Sequence, residues 1–247
     1  MGTVISQLSL HGKLTYLAHL FKAMTRQHHQ EYLPILNQFL KSDSIIIDVG
    51  AHAGQFTKLF SALVPEGHVY AFEPGGYASS ILNKVIRLYR LKNVTHIHKG
   101  LGKQYKKENL NIPIKQSGSL GFGLSHLGDD KQNVRTTISE TIEIITLDSF
   151  AKDERLERIN FIKADIEGWE MQLLLGAKSI IQKWHPILTL EVNRIFLSRA
   201  ENTPEELWAF LSDNGYEIFR LFYDENKLLQ TTLAPEPFDG NIICYPL

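Results

Sequence analysis

The sequence has few of the residues that define several common protein classes. It contains a single cysteine, Cys244, so it can form neither an intrachain disulfide nor a cysteine-rich metal site. Its formal net charge of −1 gives no general attraction to nucleic acid or to an anionic membrane. No apolar run approaches the roughly 18 residues of a membrane span, and the amino terminus lacks a signal-peptide core. These absences predict a cytoplasmic protein that has no membrane span and binds no nucleic acid.

The overall amino-acid composition is ordinary for an α/β protein. The chain has 247 residues, of which 43% are hydrophobic, enough for a sizeable core. We predict a helical amino-terminal cap over residues 1–43. A single ligand-binding domain follows over residues 44–247, with a loop insertion at residues 103–137.

Residues 44–56 are the most informative stretch of the chain. Ile45–Val49 is a β-branched run without alternation, which is typical of a strand buried on both faces of a parallel sheet. Gly50 and Gly54 then frame a turn, and apolar residues recur at helical spacing until Pro65. Such a turn lies at the carboxyl end of a strand, where open α/β sheets bind ligands.

The charge of this turn indicates which ligand it binds. A dinucleotide fingerprint requires three glycines in the pattern Gly-x-Gly-x-x-Gly, and only Gly50 and Gly54 are present. Asp48 precedes them, and its carboxylate would repel a pyrophosphate. It suits instead a ligand that carries positively charged groups, such as the ammonium and sulfonium of S-adenosylmethionine. The alternative is that Asp48 is a buried acid that caps its own turn.

A second acidic residue follows the next predicted strand. His68–Phe72 reads as that strand, and Glu73 ends it before Pro74. Glu73 lies 23 positions after Gly50, close to the separation at which an acid on the second strand binds a ribose diol. An exposed loop acid, which is the alternative, would not account for this spacing.

Four segments of the chain resemble FkbM-type methyltransferases. The resemblance runs from about residue 44 to about residue 193, and its segments are residues 48–56, 70–74, 147–150 and 162–170. It implies a class I methyltransferase (Rossmann-like) fold, S-adenosylmethionine as the methyl donor and a hydroxyl group as the usual acceptor. It also implies that adenine lies near Leu101. The chain departs from the family at Gly75-Gly76, where a polar residue is more usual.

Together, the residue patterns and the resemblance define a predicted cofactor-binding set. Its members are Asp48, Gly50, His52, Gly54, Phe56, Glu73, Leu101 and Asp165. His52 is open to two interpretations, as a base or as a side chain that packs near the methionine part of the cofactor.

The candidate catalytic residues follow the fourth strand of this nucleotide-binding unit. Asp165 and Glu167 leave that strand at the edge where the other acids lie, and Lys163 could pair with one of them. Methyl transfer to an alcohol requires removal of its proton, which a carboxylate can perform. The alternative role of both acids is to cap the following helix.

A divalent metal is an open alternative for activating the alcohol. Asp165, Glu191 and Asn193 would supply the oxygen ligands that Mg²⁺ accepts, although nothing in the spacing requires a metal. The same side chains could bind a sugar by hydrogen bonds.

The regions outside the nucleotide-binding unit carry weaker signals. Residues 4–24 and 32–40 are predicted helices that cap the core or the substrate mouth, or that join two copies in a homo-oligomer. His28 and His29 between them are interpreted as surface residues. His96 and His98 share one face of the predicted third strand, where a polar edge is favoured over a metal pair.

The predicted element order is mostly parallel, with one irregular region. Residues 103–137 are interpreted as a structureless substrate loop, centred on the glycine-rich residues 117–123, or alternatively as a surface insertion. Residues 216–223 and 242–245 are predicted as an antiparallel pair of strands at the end of the sheet.

The predicted activity is O-methylation of a small-molecule or glycan acceptor, such as a sugar or a secondary metabolite. A nicotinamide-dependent oxidoreductase is the alternative enzyme, although the phosphate-binding glycines and a Tyr-x-x-x-Lys pair are missing. A binding protein without catalysis on the same fold is the non-enzymatic alternative.

Overall fold

The computed structural model describes residues 10–113, 126–127, 137–224 and 229–247, which form an α/β structure. Its strands are β1 (Ile45–Val49), β2 (His68–Phe72), β3 (Val94–Ile97), β4 (Gly100–Leu101), β5 (Lys106–Pro113), β6 (His126–Leu127), β7 (Thr137–Ile145), β8 (Phe161–Ala164), β9 (Ile187–Val192), β10 (Tyr216–Tyr223), β11 (Leu229–Leu233) and β12 (Gly240–Pro246). Its helices are α1 (Leu10–Thr25), α2 (Leu33–Leu36), α3 (Gln55–Leu63), α4 (Gly76–Tyr89), α5 (Leu147–Asp153), α6 (Glu170–Leu175), α7 (Lys178–Trp184), α8 (Arg194–Arg199) and α9 (Pro204–Asp213).

Eight of the described strands form a central sheet in the order β11-β10-β12-β9-β8-β1-β2-β3. The five strands from β9 to β3 pair in parallel, and β12, β10 and β11 pair antiparallel at the other end. The predicted mostly parallel sheet with an antiparallel terminal pair is therefore confirmed. The strand β11 beyond that pair was not predicted.

The strand β1 occupies the position at which the strand order reverses. The chain proceeds from β1 outward to β2 and β3, and then returns to β8 on the other side of β1. Ile46 and Ile47 of β1 are fully buried, which explains why its sequence does not alternate. Because ligands bind at such a reversal in open α/β sheets, the carboxyl end of β1 is the expected site.

A second sheet corrects the interpretation of residues 103–137 as structureless. The strand β5 pairs antiparallel with β7 over Lys106 to Pro113, within a four-stranded sheet of order β4-β7-β5-β6. Leu110 and Ile112 of β5 are buried, so this hairpin buries apolar side chains. The predicted substrate loop at residues 117–123 lies outside the described residues.

The segment before β1 packs against the domain as two separate parts. The helix α1 contacts α4, and a short 3-10 turn at Gln30–Tyr32 leads into α2. Ile35 and Leu36 of α2 are buried under the central sheet. Among the described residues, no helix combines the length and apolar character that crossing a bilayer requires.

Candidate active site

A cavity of about 430 Å³ opens at the carboxyl edge of the central sheet, at the reversal in strand order. Its walls come from the ends of β1, β2, β8 and β9, from β4, β5 and β7 of the second sheet, and from the loop that precedes the 3-10 turn. The described side chains that carry polar or charged groups into its lining are His29, His52, Gln55, Glu73, Lys99, Lys163, Asp165, Glu167, Trp169 and Glu191.

The glycine turn after β1 forms one wall of the cavity and requires glycine for two reasons. Gly50 has a φ of 72°, in the left-handed region. A Cβ atom on Gly50 would lie 2.1 Å from the carbonyl oxygen of Asp165, so the turn approaches the end of β8 too closely for any side chain. Gly54 has a φ of 84° and is the N-cap residue that immediately precedes α3.

Glu73 joins the ends of β1 and β2. Its Oε2 accepts a hydrogen bond from the His52 N–H at 2.8 Å, and its Oε1 accepts one from the Gly75 N–H at 2.9 Å. Burial raises the pKa of Glu73 to about 7, although both backbone hydrogen bonds favour the ionised form. Each carboxylate oxygen has a second lone pair, so Glu73 can still accept a hydrogen bond from a ligand hydroxyl.

Asp48 lies behind the cavity and is not one of its lining residues. It is fully buried, and its Oδ2 accepts a hydrogen bond from the Thr57 hydroxyl at 2.6 Å. Burial raises the pKa of Asp48, while the nearby Lys163 ammonium opposes the rise. Asp48 thus connects β1 to α3, and its predicted direct contact with the cofactor stays a prediction.

Lys163 and Asp165 form the ionic centre of the site. The Lys163 ammonium lies 3.6 Å from Asp165 Oδ2 and 4.0 Å from Asp48 Oδ1. The Lys163 side chain is 8% exposed and that of Asp165 is 48% exposed. The ion pair therefore joins a buried ammonium to a carboxylate that faces the cavity. Lys163 lowers the pKa of Asp165, which therefore carries a negative charge at neutral pH. The predicted pairing of Lys163 with an acid of this turn is confirmed.

Two further carboxyl groups in the lining hold protons more tightly than usual. Burial, and then the hydrogen bond with Asp165, raise the pKa of Glu191 to about 8. Because two carboxylates need a proton to hydrogen-bond, Glu191 donates to the ionised Asp165. Burial and the charge of Asp165 raise the pKa of Glu167 to about 7. The cavity therefore contains one ionised acid, Asp165, one protonated acid, Glu191, and two acids, Glu73 and Glu167, that titrate near neutrality.

Glu170 and Trp169, which sequence reasoning missed, shape the turn that carries these acids. Glu170 is fully buried, and its Oε1 accepts a hydrogen bond from the Ile166 N–H at 3.0 Å. Burial raises the pKa of Glu170 to about 8. Trp169 lines the cavity, and the Lys106 ammonium lies 4.9 Å from the centre of its ring. Both residues lie in the Asp165–Glu170 segment, but its sequence does not distinguish a residue that stabilises the turn from one that binds a ligand.

Two aromatic rings line the cavity near Lys163 and correct the assignment of His29 to the surface. His29 stacks on Phe56 with ring centroids 4.1 Å apart, and both residues line the cavity. Burial lowers the pKa of His29 and that of His52, so both rings favour the neutral form. His28 is partly buried and does not line the cavity.

Two candidate metal-binding groups of the sequence have other partners in the structure. The Asn193 side-chain oxygen accepts hydrogen bonds from the Ile195 and Phe196 N–H groups, so Asn193 caps α8 and is not a free ligand. The His96 ring is hydrogen-bonded to Ser79 and Asn83 on α4. Within the described ranges, no group of three or more His, Cys, Asp or Glu side chains is arranged to hold a metal ion.

The structure thus brings most of the predicted site residues to one cavity. Gly50, His52, Phe56, Glu73, Leu101, Lys163, Asp165 and Glu167 line it, whereas Asp48 and Gly54 lie behind it. The contacts of these residues with a cofactor stay predictions.

Comparison with known proteins yields a family match and distant relatives. A family model described as the methyltransferase FkbM domain matches residues 48–218. Methyltransferase 1 of Beauveria bassiana is 26% identical over 149 residues, which cover 54% of this chain and 58% of that protein. The 2-O-methyltransferase NoeI of Sinorhizobium fredii is 26% identical over 167 residues, which cover 65% of this chain and 67% of that protein.

A solved structure shares the fold. The crystal structure of the O-methyltransferase from Bacillus cereus in complex with SAH has a TM-score of 0.52 and 12% identity to this chain. The match covers 98% of this chain and 93% of that one. At this identity the likeness shows the fold alone, and it confirms the expected class I methyltransferase fold.

Proposed function

Because the chain belongs to the FkbM methyltransferase domain family, we propose that it transfers the methyl group of S-adenosylmethionine to a hydroxyl oxygen of a small-molecule or glycan acceptor. The observation that carries the proposal is the meeting of Glu73, Asp165 and Glu167 in one cavity at the reversal in strand order. The family match favours this activity over the nicotinamide-dependent oxidoreductase considered from the sequence. The 26% identity to the 2-O-methyltransferase NoeI supports oxygen as the acceptor atom.

The cavity has the size and the polar groups that this cofactor needs. Its volume of about 430 Å³ is typical of a small-molecule site. The Nε2 atom of His52 and the Nε1 atom of Trp169 are buried without a partner among the described residues, so both can still bond to a ligand. Glu73 would accept hydrogen bonds from the ribose, and Leu101 would contact the adenine.

The ionised Asp165 provides the negative charge that the sequence analysis assigned to Asp48. S-adenosylmethionine supplies an electrophilic methyl group on a positively charged sulfur. Lys163 keeps Asp165 ionised, and a carboxylate that faces the cavity favours a positively charged ligand. Asp48 contributes from behind the wall, because it shares the Lys163 ammonium with Asp165.

Glu167 is the residue that we assign to proton removal. An effective general base has a pKa near the working pH, and burial and Asp165 bring the pKa of Glu167 to about 7. Asp165 is a weaker base because Lys163 lowers its pKa. Glu191 is protonated at neutral pH, so its role is to hold Asp165 in place by donating a hydrogen bond to it. Alignment of the acceptor oxygen in the cavity supplies the remaining acceleration.

A screen with methyl-labelled S-adenosylmethionine tests this function. Sugars, oligosaccharides and polyketide-type alcohols are incubated with the wild-type chain and with Glu167→Gln, and the labelled product is identified by mass spectrometry and NMR. We expect an O-methyl product that the variant forms far more slowly. A label on nitrogen, carbon or sulfur would refute the hydroxyl assignment. Cofactor binding without transfer to any acceptor would favour a non-catalytic protein.

A further inference from the structure

The helix α1 turns an apolar stripe away from the domain. Leu14, Leu17 and Phe21 recur at intervals of three and four residues, so they share one face of the helix. These residues are 59%, 57% and 68% exposed. Tyr16 and Ala23 lie on another face and are 4% and 2% exposed.

Specific contacts hold α1 in this orientation. The Tyr16 hydroxyl lies 2.6 Å from the Ser80 hydroxyl on α4, and the His19 ring lies 2.9 Å from the Tyr77 hydroxyl. The rings of Tyr16 and Tyr77 also meet edge to face, 5.2 Å apart. Rotation of α1 to turn the stripe inward would break these contacts. The stripe is therefore exposed as long as α1 is packed against α4.

The helices α1 and α4 carry basic residues and no acidic ones. Residues 1–30 and 74–107 contain no aspartate or glutamate, although the whole chain has a net charge of −1. The exposed cations of α1, α4 and the residues that follow each helix are Lys13, Lys22, Arg26, Lys84, Arg87, Arg90 and Lys92. None of them takes part in an ion pair within the described part of the chain. We call these cations and the apolar stripe the α1–α4 surface.

We propose that the α1–α4 surface docks on an anionic lipid bilayer. The apolar stripe would insert among the lipid headgroups, and the cations would lie against the lipid phosphates, as in interfacial helices. A symmetric contact with a second copy would place the cations opposite one another. A polynucleotide would satisfy the cations but leave Leu14, Leu17 and Phe21 in water.

Docking through α1 would place the bilayer close, along the chain, to the wall of the cavity. The helix α1 ends at Thr25, and His29 four residues later lines the cavity. The proposed bilayer contact is therefore joined to the cavity wall by a short segment. This inference goes beyond the proposed methyl transfer and does not depend on it.

Flotation with lipid vesicles tests the proposal on the full chain. The vesicles consist of phosphatidylcholine alone or of equal parts phosphatidylcholine and phosphatidylglycerol. We expect the wild type to float with the anionic vesicles only. The double variant Leu17→Ser/Phe21→Ser should bind them at least about tenfold more weakly, because it removes apolar side chains that the bilayer would cover. Lys22→Glu/Arg87→Glu should lose binding similarly.

A matched variant and a second measurement separate the outcomes. Leu233 is 56% exposed on β11, at the opposite end of the central sheet, and Leu233→Ser should float like the wild type. Unchanged melting temperatures would show that all variants fold. Absence of flotation, or flotation that the serine variants do not weaken, would overturn the proposal. Light scattering that showed a dimer split by Leu17→Ser/Phe21→Ser, without flotation, would assign the surface to a second copy instead.

Discussion

The ammonium of Lys163 lies 3.6 Å from the carboxylate of Asp165, and this ion pair joins the buried end of β8 to the cavity. The same ammonium lies 4.0 Å from the Asp48 carboxylate in the core. One cation therefore supports a structural acid and a ligand-facing acid, so a change at Lys163 should alter both stability and binding.

Replacement of Lys163 by methionine should destabilise the fold. Asp48 is fully buried, and removal of its nearest cation would leave a buried charge without compensation. We expect the free energy of unfolding at pH 7 to fall by about 3 kcal/mol, measured by urea denaturation. Lys152→Met is the control, because Lys152 is exposed on α5. The double variant Asp48→Asn/Lys163→Met should recover part of the loss, and no recovery would contradict this explanation.

Two glycine substitutions should separate backbone strain from a steric clash. Gly50 and Gly215 have nearly equal φ angles of 72° and 74°. A Cβ atom on Gly215 meets nothing within 4 Å, whereas one on Gly50 would lie 2.1 Å from a backbone oxygen. Gly215→Ala should cost about 1 kcal/mol of stability, and Gly50→Ala should cost more and weaken cofactor binding. Equal losses of stability in the two variants would show that the turn can shift to relieve the clash.

Substitution of Glu73 tests the assignment of the ribose contact. Glu73→Gln should weaken S-adenosylmethionine binding by about 1.5–3 kcal/mol, because a charged acceptor of hydrogen bonds is lost. Calorimetry with the 2′-deoxy analogue of S-adenosylhomocysteine separates this effect from a general distortion of the turn. The analogue should bind the wild type more weakly than S-adenosylhomocysteine does, and the difference should shrink in the variant. A difference of the same size in both proteins would place the ribose elsewhere.

The pH dependence of methyl transfer should report the titration of Glu167. A general base must be ionised, so the rate should rise with pH through about 7 and then level off. Glu167→Gln should lose roughly 10²–10⁴-fold in turnover together with this rise. Asp165→Asn should bind the cofactor more weakly. A wild-type rate that is already constant from pH 5 upward would favour Asp165 as the base, because Lys163 lowers its pKa.

The stability of the fold should fall as the pH rises from about 4.5 to about 8. Burial raises the pKa of Glu170 from 4.5 to about 8, so the folded state holds a proton that the unfolded state releases over this range. Stability then decreases with pH, because the folded state binds more protons. Glu170→Gln should reduce the difference in unfolding free energy between pH 5 and pH 8 by roughly 2–4 kcal/mol. Urea denaturation at both pH values measures it, with Glu217→Gln as the exposed control. If the unfolding free energy changed equally between pH 5 and pH 8 in Glu170→Gln and in the wild type, Glu170 would not be the source of the pH dependence.

The sequence predicted those parts of the site that depend on local patterns. The apolar run of β1, the glycine turn and the spacing of Glu73 are encoded within about 30 residues, because each follows from one strand–turn–helix unit. The closing pair β10 and β12 was predictable from its flanking turn residues and its β-rich composition.

The parts that were missed depend on contacts between distant segments. The hairpin of β5 and β7 pairs residues about 30 positions apart, and the polar composition of β5 conceals that strand. The hydrogen bond between Glu191 and Asp165 depends on the pairing of β8 with β9. The stacking of His29 on Phe56 depends on how the loop before the 3-10 turn packs against α3. No periodicity within either segment carries this information.

Calorimetric titration of the wild-type chain with S-adenosylmethionine, and in parallel with NAD, tests the central claim most directly. We predict saturable binding of one S-adenosylmethionine per chain and no binding of NAD, because the cavity offers Asp165 to a positive charge and lacks the glycines that admit a pyrophosphate. Competition by S-adenosylhomocysteine should abolish the signal. Binding of NAD in preference to S-adenosylmethionine, or the absence of any S-adenosylmethionine binding, would contradict the proposed methyltransferase site.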